Sequence, residues 1–138
     1  MQSFLEFAGH HPYLSTAAAL LAAAIVATEA KRLTRRWREV GPFELTQLVN
    51  GGAQLLDLRD AAAHRAGHIA GARPVALDEL DALAAKLPKG ESVVTCCESG
   101  ADSARAAQRL ADAGLTKVAT LRGGLSAWRA ENLPLVKG

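Results

Sequence analysis

Aromatic residues are scarce in this sequence, which has two Trp, one Tyr and three Phe among its 138 residues. Few rings are available to pack in a core or to stack on bases, so we expect a core of Leu, Val, Ile and Ala. Residues 40–138 hold 11 Lys and Arg against 11 Asp and Glu, and the net charge of +2 comes from the first 39 residues. A neutral domain with few aromatic residues argues against nucleic-acid binding.

Cysteine is also rare, since the sequence has only Cys96 and Cys97, which are adjacent. Adjacent cysteines cannot close a long loop, and a bridge between them would strain the intervening peptide bond. We therefore expect two reduced thiols in a reducing compartment. His10 and His11 lack partners at metal-ligand spacing, so we expect neither a metal site nor another cofactor.

Charged residues are absent from Tyr13 to Thr28. This segment is apolar all round, and with Pro12 it approaches the length needed to cross a bilayer. We predict a transmembrane helix over residues 12–30. A helix of a soluble protein is the alternative, but so small a domain has nowhere to bury such a segment.

The charges that flank this segment predict its orientation. Five Lys and Arg residues lie in 31–38, whereas residues 1–11 contain none. The positive-inside rule then puts residues 1–11 outside and the domain of residues 40–138 in the cytoplasm, in a single-pass protein of the inner (cytoplasmic) membrane. The basic linker, residues 31–39, and its Trp37 should lie against anionic headgroups of the lipid bilayer. A cleaved signal peptide would carry its positive charge before the apolar run, so we expect an uncleaved anchor.

Helical and strand-like segments alternate through residues 40–138. Apolar runs predict buried strands at 53–59, 92–97 and 117–121, and helical spacing predicts helices at 42–50, 77–87, 103–113 and 125–131. Strands separated by helices are typical of a parallel sheet covered on both faces. We therefore predict an α/β fold, a three-layer sandwich around a central parallel sheet.

Five motifs in this region, taken in their order and spacing, resemble the rhodanese-like domain. They are LLDLR, AGHIAGA, VVTCCESGADSARA, VATLRGGLSAW and ENLPL. With the amino-terminal span, the chain resembles the single-pass, membrane-anchored rhodanese-like proteins of bacteria. The resemblance implies a sulfurtransferase whose cysteine takes sulfane sulfur from a donor as a persulfide. The sulfur then passes to a thiol or other nucleophilic acceptor, and a membrane-protein partner is possible.

Cys97 matches the cysteine that carries sulfur in this family. It ends a predicted strand, and a small polar loop follows before the next helix. The loop residues, which the resemblance makes the substrate-binding loop, are Glu98, Ser99, Gly100, Ala101, Asp102 and Ser103. Backbone N–H groups and the positive end of the helix dipole would point into this loop and stabilise a thiolate or persulfide anion. Because side chains alternate along a strand, Cys96 should turn into the core.

The loop departs from the family pattern in its negative charge. Sulfurtransferase loops often carry an arginine five residues after the cysteine, where this sequence has Asp102, and Glu98 directly follows Cys97. Two charges about 4 Å apart interact by about 4 kcal/mol at an effective dielectric of 20, which exceeds a helix-dipole effect of about 0.3 to 1 kcal/mol. We therefore expect dianionic thiosulfate to be a poor donor. Asp102 could alternatively be the N-cap of a helix that begins near Ser103.

The other motif residues are predicted to have structural roles. They are Asp57, Arg59, Gly67, His68, Gly123 and Gly124. The first two resemble the family's Asp-x-Arg pair, which we expect to hold loops together by hydrogen bonds. His68 belongs to a turn far in sequence from Cys97, so we do not expect a general base there. The adjacent glycines match the family's Gly-Gly turn, which implies positive φ.

Two other functions are compatible with some of these features. A cysteine phosphatase of this fold needs an arginine that closes the loop around phosphate, and Asp102 and Ser103 stand where it would lie, so we exclude this function. A catalytically weak or inactive domain could instead act as a membrane-tethered protein-binding module. The acidic loop favours that alternative, whereas the retained Cys97 favours the enzyme.

The predicted anchor leads to a direct test by cell fractionation. The intact chain should sediment with membranes and resist carbonate extraction, because a spanning helix is held by burial of its apolar side chains in the bilayer. A chain that begins near Val40 should be soluble. Recovery of the intact chain in the soluble fraction would contradict the prediction.

Overall fold

A computed structural model describes residues 1–138 and divides the chain into two units, Met1–Arg35 and Arg36–Gly138. The first unit holds helices α1 (Gln2–His10) and α2 (Pro12–Thr34). Helix α2 contains the predicted span and continues four residues beyond it. Its 23 residues extend about 35 Å, none is buried, and by length and composition the helix could cross a membrane.

The second unit is built around five parallel strands. They are β1 (Trp37–Val40), β2 (Gln54–Asp57), β3 (Ala72–Pro74), β4 (Ser92–Cys96) and β5 (Lys117–Leu121). Their spatial order is β1-β5-β4-β2-β3, and every pairing is parallel. Because all strands run the same way, their carboxyl ends meet at one edge of the sheet, and β4 lies at its centre.

Five helices complete this unit. They are α3 (Pro42–Asn50), α4 (Ala61–Ala66), α5 (Leu80–Lys86), α6 (Ala101–Asp112) and α7 (Gly124–Ala130), with a 3-10 turn at Leu77–Glu79 before α5. Buried residues of α5 and α6 pack with one apolar cluster, and those of α3 and α7 with a second. Successive residues of β4 enter different clusters: Val93 joins the first and Val94 the second. The predicted three-layer α/β sandwich is confirmed.

Strand β1 begins inside the segment that the sequence assigned to the linker. Trp37 pairs with Val118 of β5, and its indole N–H donates to Gln108 Oε1 at 3.0 Å. The expectation that Trp37 lies among lipid headgroups is therefore wrong, because this residue belongs to the sheet. Strand β3 also escaped prediction, since it has three residues and ends in Pro74 at the sheet edge.

Two helical predictions also need correction. The predicted helix at 77–87 is a 3-10 turn followed by α5, and α4 was not predicted at all. Helix α4 has a recognisable cap, since the Asp60 carboxylate accepts the N–H of Ala63 at 2.7 Å. Its six residues are too few to show a helical apolar pattern, so only the cap could have indicated it.

The position of β1 defines where the folded domain must begin. A chain starting at Arg36 keeps the edge strand, whereas one starting at Val40 loses Trp37 and leaves the edge of β5 unpaired. We expect the free energy of unfolding of the shorter chain to fall by at least about 2 kcal/mol, which lowers Tm by roughly 8 to 16 °C in a domain of this size. Thermal unfolding of the two chains, followed by circular dichroism, measures the difference. Equal melting temperatures would mean that β1 adds nothing to the domain.

Candidate active site

The two adjacent cysteines lie where β4 ends, at the centre of the carboxyl edge of the sheet. Cys96 is fully buried in one apolar cluster and Cys97 lies in the other at 4% exposure, so the two side chains occupy opposite faces of the sheet. Burial raises the pKa of the Cys96 thiol, and the carboxylate of Asp57 raises it further. Cys96 is therefore a neutral core thiol.

The sulfur of Cys97 is the acceptor around which the following loop closes. The N–H of Gly100 donates to Sγ at 2.9 Å and the N–H of Ser103 at 3.4 Å. Gly100 has a φ of 101°, a left-handed conformation that glycine adopts without strain. The loop therefore directs two backbone N–H groups at one atom, an arrangement that binds anions.

The loop has an exposed rim and a buried floor. Its rim consists of Glu98, Ser99, Ala101 and Asp102, which are all exposed, and its floor of the buried Cys97 and Ser103. The chain therefore presents the polar loop to solvent while the sulfur lies beneath it. The predicted loop residues surround one atom, Sγ, which accepts hydrogen bonds from Gly100 and Ser103.

The Gly-Gly turn lies against the backbone of this loop. Gly123 and Gly124 have φ values of 72° and 62°. A Cβ on Gly124 would lie 2.6 Å from the Glu98 carbonyl oxygen, so a larger residue does not fit. This close approach lets the N–H of Leu125 donate to the carbonyl of Cys97 at 2.8 Å. The amino end of α7 thus fixes the backbone of the residue that carries the sulfur.

The charge of Glu98 is paired with basic groups. Its carboxylate accepts hydrogen bonds from the Arg129 guanidinium and, at 3.4 Å, from the Ser126 hydroxyl. The Arg59 guanidinium lies 3.9 Å from the second carboxylate oxygen of Glu98. The bond from Arg129 lowers the pKa of Glu98, with the charges of Arg129 and Arg59 acting in the same direction. The predicted repulsion between Glu98 and a Cys97 thiolate is therefore offset by two cations.

The N-cap interpretation of Asp102 is wrong. Helix α6 begins at Ala101, two residues earlier than predicted, and Gly100 holds the N-cap position. Asp102 makes no capping hydrogen bond and lies in the first turn, where it forms an ion pair with Arg105 at 3.8 Å. Both partners are more than half exposed, so this ion pair is weak. Asp102 lies at the positive end of the α6 dipole, where an acidic side chain is stabilised.

Asp57 and Arg59 join three segments beside the loop. The guanidinium donates to the Asp57 carboxylate at 2.8 Å and to the carbonyl of Gly67 at 2.7 Å. His64 Nδ1 lies 3.1 Å from the same carboxylate. Burial alone would raise the pKa of Asp57, but the hydrogen bonds from Arg59 and His64 outweigh it and lower that pKa. Strand pairing aligns Asp57 with Cys96, which ties this cluster to the base of the loop.

His68 lies apart from the sulfur and is held by backbone groups. Its Nδ1 is 2.7 Å from the carbonyl of His64, the two rings stack 3.8 Å apart, and its backbone bridges to Val136. His64 was not among the predicted site residues. No local pattern indicated it, because α4 ends at Ala66 and His68 lies beyond that helix, where its backbone bridges to Val136.

The fold and the loop together define a class of protein. The fold is a parallel α/β sandwich, and a cysteine lies in an anion-binding loop after its central strand. Residues 42–131 match the rhodanese-like domain family. The chain belongs to that family. It is 35% identical to the uncharacterized protein YibN of Escherichia coli over 142 residues, which covers 100% of this chain and 99% of that protein.

Other relatives match a part of the chain. The chain is 30% identical over 94 residues to thiosulfate sulfurtransferase GlpE of Pseudomonas aeruginosa, covering 68% of this chain and 86% of that enzyme. A rhodanese-related protein from Thermoplasma volcanium superposes with a TM-score of 0.65 at 25% identity, over 73% of this chain and 99% of that one. Alr3790 from Anabaena gives a TM-score of 0.65 at 25% identity, over 72% and 82%.

Proposed function

We propose that this protein is a membrane-anchored sulfurtransferase that carries sulfane sulfur as a persulfide on Cys97. One observation carries the proposal: Cys97 Sγ accepts two backbone N–H groups, from Gly100 and Ser103, in a closed loop. Hydrogen bonds to an ionised acceptor are roughly twice as strong as neutral ones, so this loop favours a thiolate or a persulfide anion over a thiol. The activity in the name of the relative GlpE supports the same class of reaction.

The proposed reaction consists of two nucleophilic displacements at sulfur. The Cys97 thiolate attacks the outer sulfur of the donor, and with thiosulfate a new S–S bond forms while the bond to the sulfonate sulfur breaks and sulfite leaves with the electron pair. An acceptor thiolate then attacks the terminal sulfur of the persulfide, and Cys97 departs as a thiolate. Charge is conserved in both steps, and neither step requires an oxidant or reductant.

The rim of the loop bears on the choice of donor. Glu98 is paired with Arg129 and approached by Arg59, whereas Asp102 has only the exposed Arg105 on its own helix. Asp102 therefore keeps a negative charge at the mouth of the loop that one exposed ion pair balances only weakly. A donor with a single charge fits this rim better than dianionic thiosulfate.

Helix α2 supplies the proposed anchor. Its apolar residues are exposed in the isolated chain, and insertion into a bilayer would remove them from water. The basic residues after it favour a cytoplasmic position for the rhodanese-like domain. The acceptor would then be a thiol of the cytoplasm or of a protein at the membrane surface.

Persulfide formation should occur at one cysteine only. Incubation of the intact protein with a sulfane-sulfur donor should add about 32 Da, the mass of one sulfur atom, at Cys97, as covalent catalysis requires. Peptide mass spectrometry locates the addition. Cys97→Ser should abolish it, and the matched variant Cys96→Ala should retain it because that side chain faces the other cluster.

A persulfide found on Cys96 alone would overturn the assignment of Cys97. If neither cysteine gains sulfur and Cys97 also resists alkylation, the protein-binding module becomes the better interpretation of the domain.

Removing the charge of Asp102 should increase turnover with thiosulfate. Asp102→Asn removes the charge in a side chain of the same shape, and Asp102→Arg reverses it, so activity should rise in that order. Neither variant removes a cap, so stability should change by no more than about 1 kcal/mol, the size of a helix-dipole effect. Steady-state rates at low ionic strength measure the effect, because surface charges act most strongly there.

The exposed Asp112, at the opposite end of α6, provides the control. Asp112→Asn makes the same change of net charge far from the α6 amino end and should leave turnover unchanged. Equal rates for all variants would show that Asp102 does not limit the reaction.

A further inference from the structure

The Ser103 hydroxyl is fully buried and uses all of its hydrogen-bonding capacity. It accepts from the Thr120 hydroxyl at 2.8 Å and from the Cys97 thiol at 3.4 Å, and it donates to the carbonyl of Gly100 at 3.0 Å. A hydroxyl has one hydrogen and two lone pairs, so these three bonds saturate it. The arrangement fits a neutral Cys97 thiol.

Loss of the thiol proton changes this balance. The bond from Cys97 to Ser103 disappears, and Sγ becomes a charged and stronger acceptor. Rotation about one bond turns the Ser103 hydrogen from the Gly100 carbonyl to Sγ. That carbonyl keeps a partner, because it also accepts the N–H of Ala104 at 3.1 Å. The rotation therefore leaves no buried group unpaired.

We propose that Ser103 is a catalytic residue whose hydroxyl switches its hydrogen bond from the Gly100 carbonyl to the Cys97 thiolate, with Thr120 as the positioning residue that holds it. This inference rests on the proposed function, whose reactive form is the thiolate. Sγ then accepts three hydrogen bonds, two from backbone N–H groups and one from the hydroxyl. Thr120 donates to Ser103 in both states.

Two strands fix the position of Ser103. Thr95 of β4 and Thr120 of β5 are paired in register across the sheet. The Thr95 hydroxyl donates to the Ser103 carbonyl at 2.8 Å, and the Thr120 hydroxyl donates to the Ser103 side chain. One threonine holds the backbone and the other orients the hydroxyl.

The charged groups around the loop are engaged elsewhere. Arg59 is bound to Asp57, and Arg129 is bound to Glu98, which also approaches Arg59. The Cys96 thiol is neutral on the other face of the sheet. Among these side chains, the Ser103 hydroxyl is the one with a direct hydrogen bond to Sγ.

Alkylation of Cys97 by iodoacetamide, in the intact protein carrying Cys96→Ala, tests this role. A hydrogen bond to a charged group is worth roughly tenfold or more, so Ser103→Ala should slow alkylation at pH 7 about tenfold. The difference between the two rates should shrink as the pH is raised. Thr120→Val should slow the reaction at pH 7 by a smaller factor, and Thr120→Ser, which keeps the hydroxyl, should restore it.

Rates at pH 7 that equal the parent rate in both Ser103→Ala and Thr120→Val would overturn the inference. If Ser103→Ala does not fold, the alkylation rates of Thr120→Val and Thr120→Ser are sufficient to test the role of the hydroxyl. Transfer of sulfur to Cys97, followed by the added 32 Da, is measured separately. Its absence in the parent protein would reject the proposed function while the alkylation rates still report on the hydroxyl.

A second and independent observation concerns α1, whose apolar and polar residues lie on opposite sides. At 100° per residue, its apolar side chains fall within an arc of about 160°. The apolar residues are Phe4, Leu5, Phe7 and Ala8, and the polar residues are Gln2, Ser3, Glu6 and His10. Phe4 and Phe7 are 74% and 54% exposed.

The apolar side of α1 faces the elbow that this helix forms with α2. Only His11 separates the two helices, and the Ser15 hydroxyl donates to the Ala8 carbonyl at 3.3 Å. Phe4, Phe7 and Ala8 line one groove with residues of α2, which are Leu14, Ser15, Ala18, Ala19 and Ala22. The apolar face is therefore turned in the direction in which α2 leaves the elbow.

We infer that α1 lies in the boundary between headgroups and acyl chains, at the membrane surface where α2 begins. The inference rests on the proposed anchor. A helix there buries its apolar face toward the acyl chains, which is also the direction of α2, and keeps its polar face in water. Residues 1–11 contain no Lys or Arg, so burial of apolar side chains, and not attraction to anionic lipid, supplies the binding.

Spin labels on single cysteines test the depth of α1 in phosphatidylcholine vesicles. The background is the intact chain with Cys96→Ala and Cys97→Ser, and labels are placed at Leu5→Cys and, as the matched control one residue away, Glu6→Cys. Collisions with oxygen should dominate at position 5, and collisions with a water-soluble nickel complex should dominate at position 6. A third label, at Ala24→Cys, reports whether α2 is in the bilayer.

Equal exposure of positions 5 and 6 to nickel, with position 24 shielded, would overturn the interfacial position of α1 and leave the anchor intact. Exposure of position 24 to nickel would reject the anchor itself.

Discussion

The shape of the loop after β4 depends on two carbonyl groups that α7 holds in place. The N–H groups of Leu125 and Ser126 donate to the carbonyls of Cys97 and Glu98 at 2.8 and 3.0 Å. This contact requires glycine at position 124, since a Cβ there would meet the Glu98 carbonyl. With its carbonyls held from outside, the loop can turn its N–H groups inward to one sulfur atom. The site therefore needs β5 and α7 as much as β4 and α6.

Charge at the site is divided between the two ends of the loop. Glu98, at the first end, is balanced by Arg129 and Arg59, whereas Asp102, at the second, faces solvent beside Arg105. Both carboxylates are more than half exposed, so water and salt screen their charges, whereas the backbone N–H groups at the buried Sγ are not screened in this way. The interior of the loop thus favours an anion even though its rim is acidic.

The sequence predicted the parts of the fold that have a strong apolar signal. Strands β2, β4 and β5 are buried runs and were recognised, but β1 reads WREV and β3 reads ARP, and edge strands with charges or proline have no such signal. The pairing of Glu98 with Arg129 joins residues 31 positions apart, which no local pattern reveals. The cap of α6 depends on the left-handed conformation of Gly100, a property of the backbone that an acid at position 102 concealed.

The opposite orientation of the two cysteines has a kinetic consequence for the proposed enzyme. Cys96 is the only other thiol of the chain and lies in the other apolar cluster, so it cannot resolve a persulfide on its neighbour. Sulfur bound to Cys97 then has no internal outlet. In the absence of an acceptor, donor cleavage stops after a burst of one equivalent per chain, and with an acceptor the kinetics are ping-pong. Such a chain is a one-sulfur store whose discharge is controlled by whichever acceptor reaches the loop.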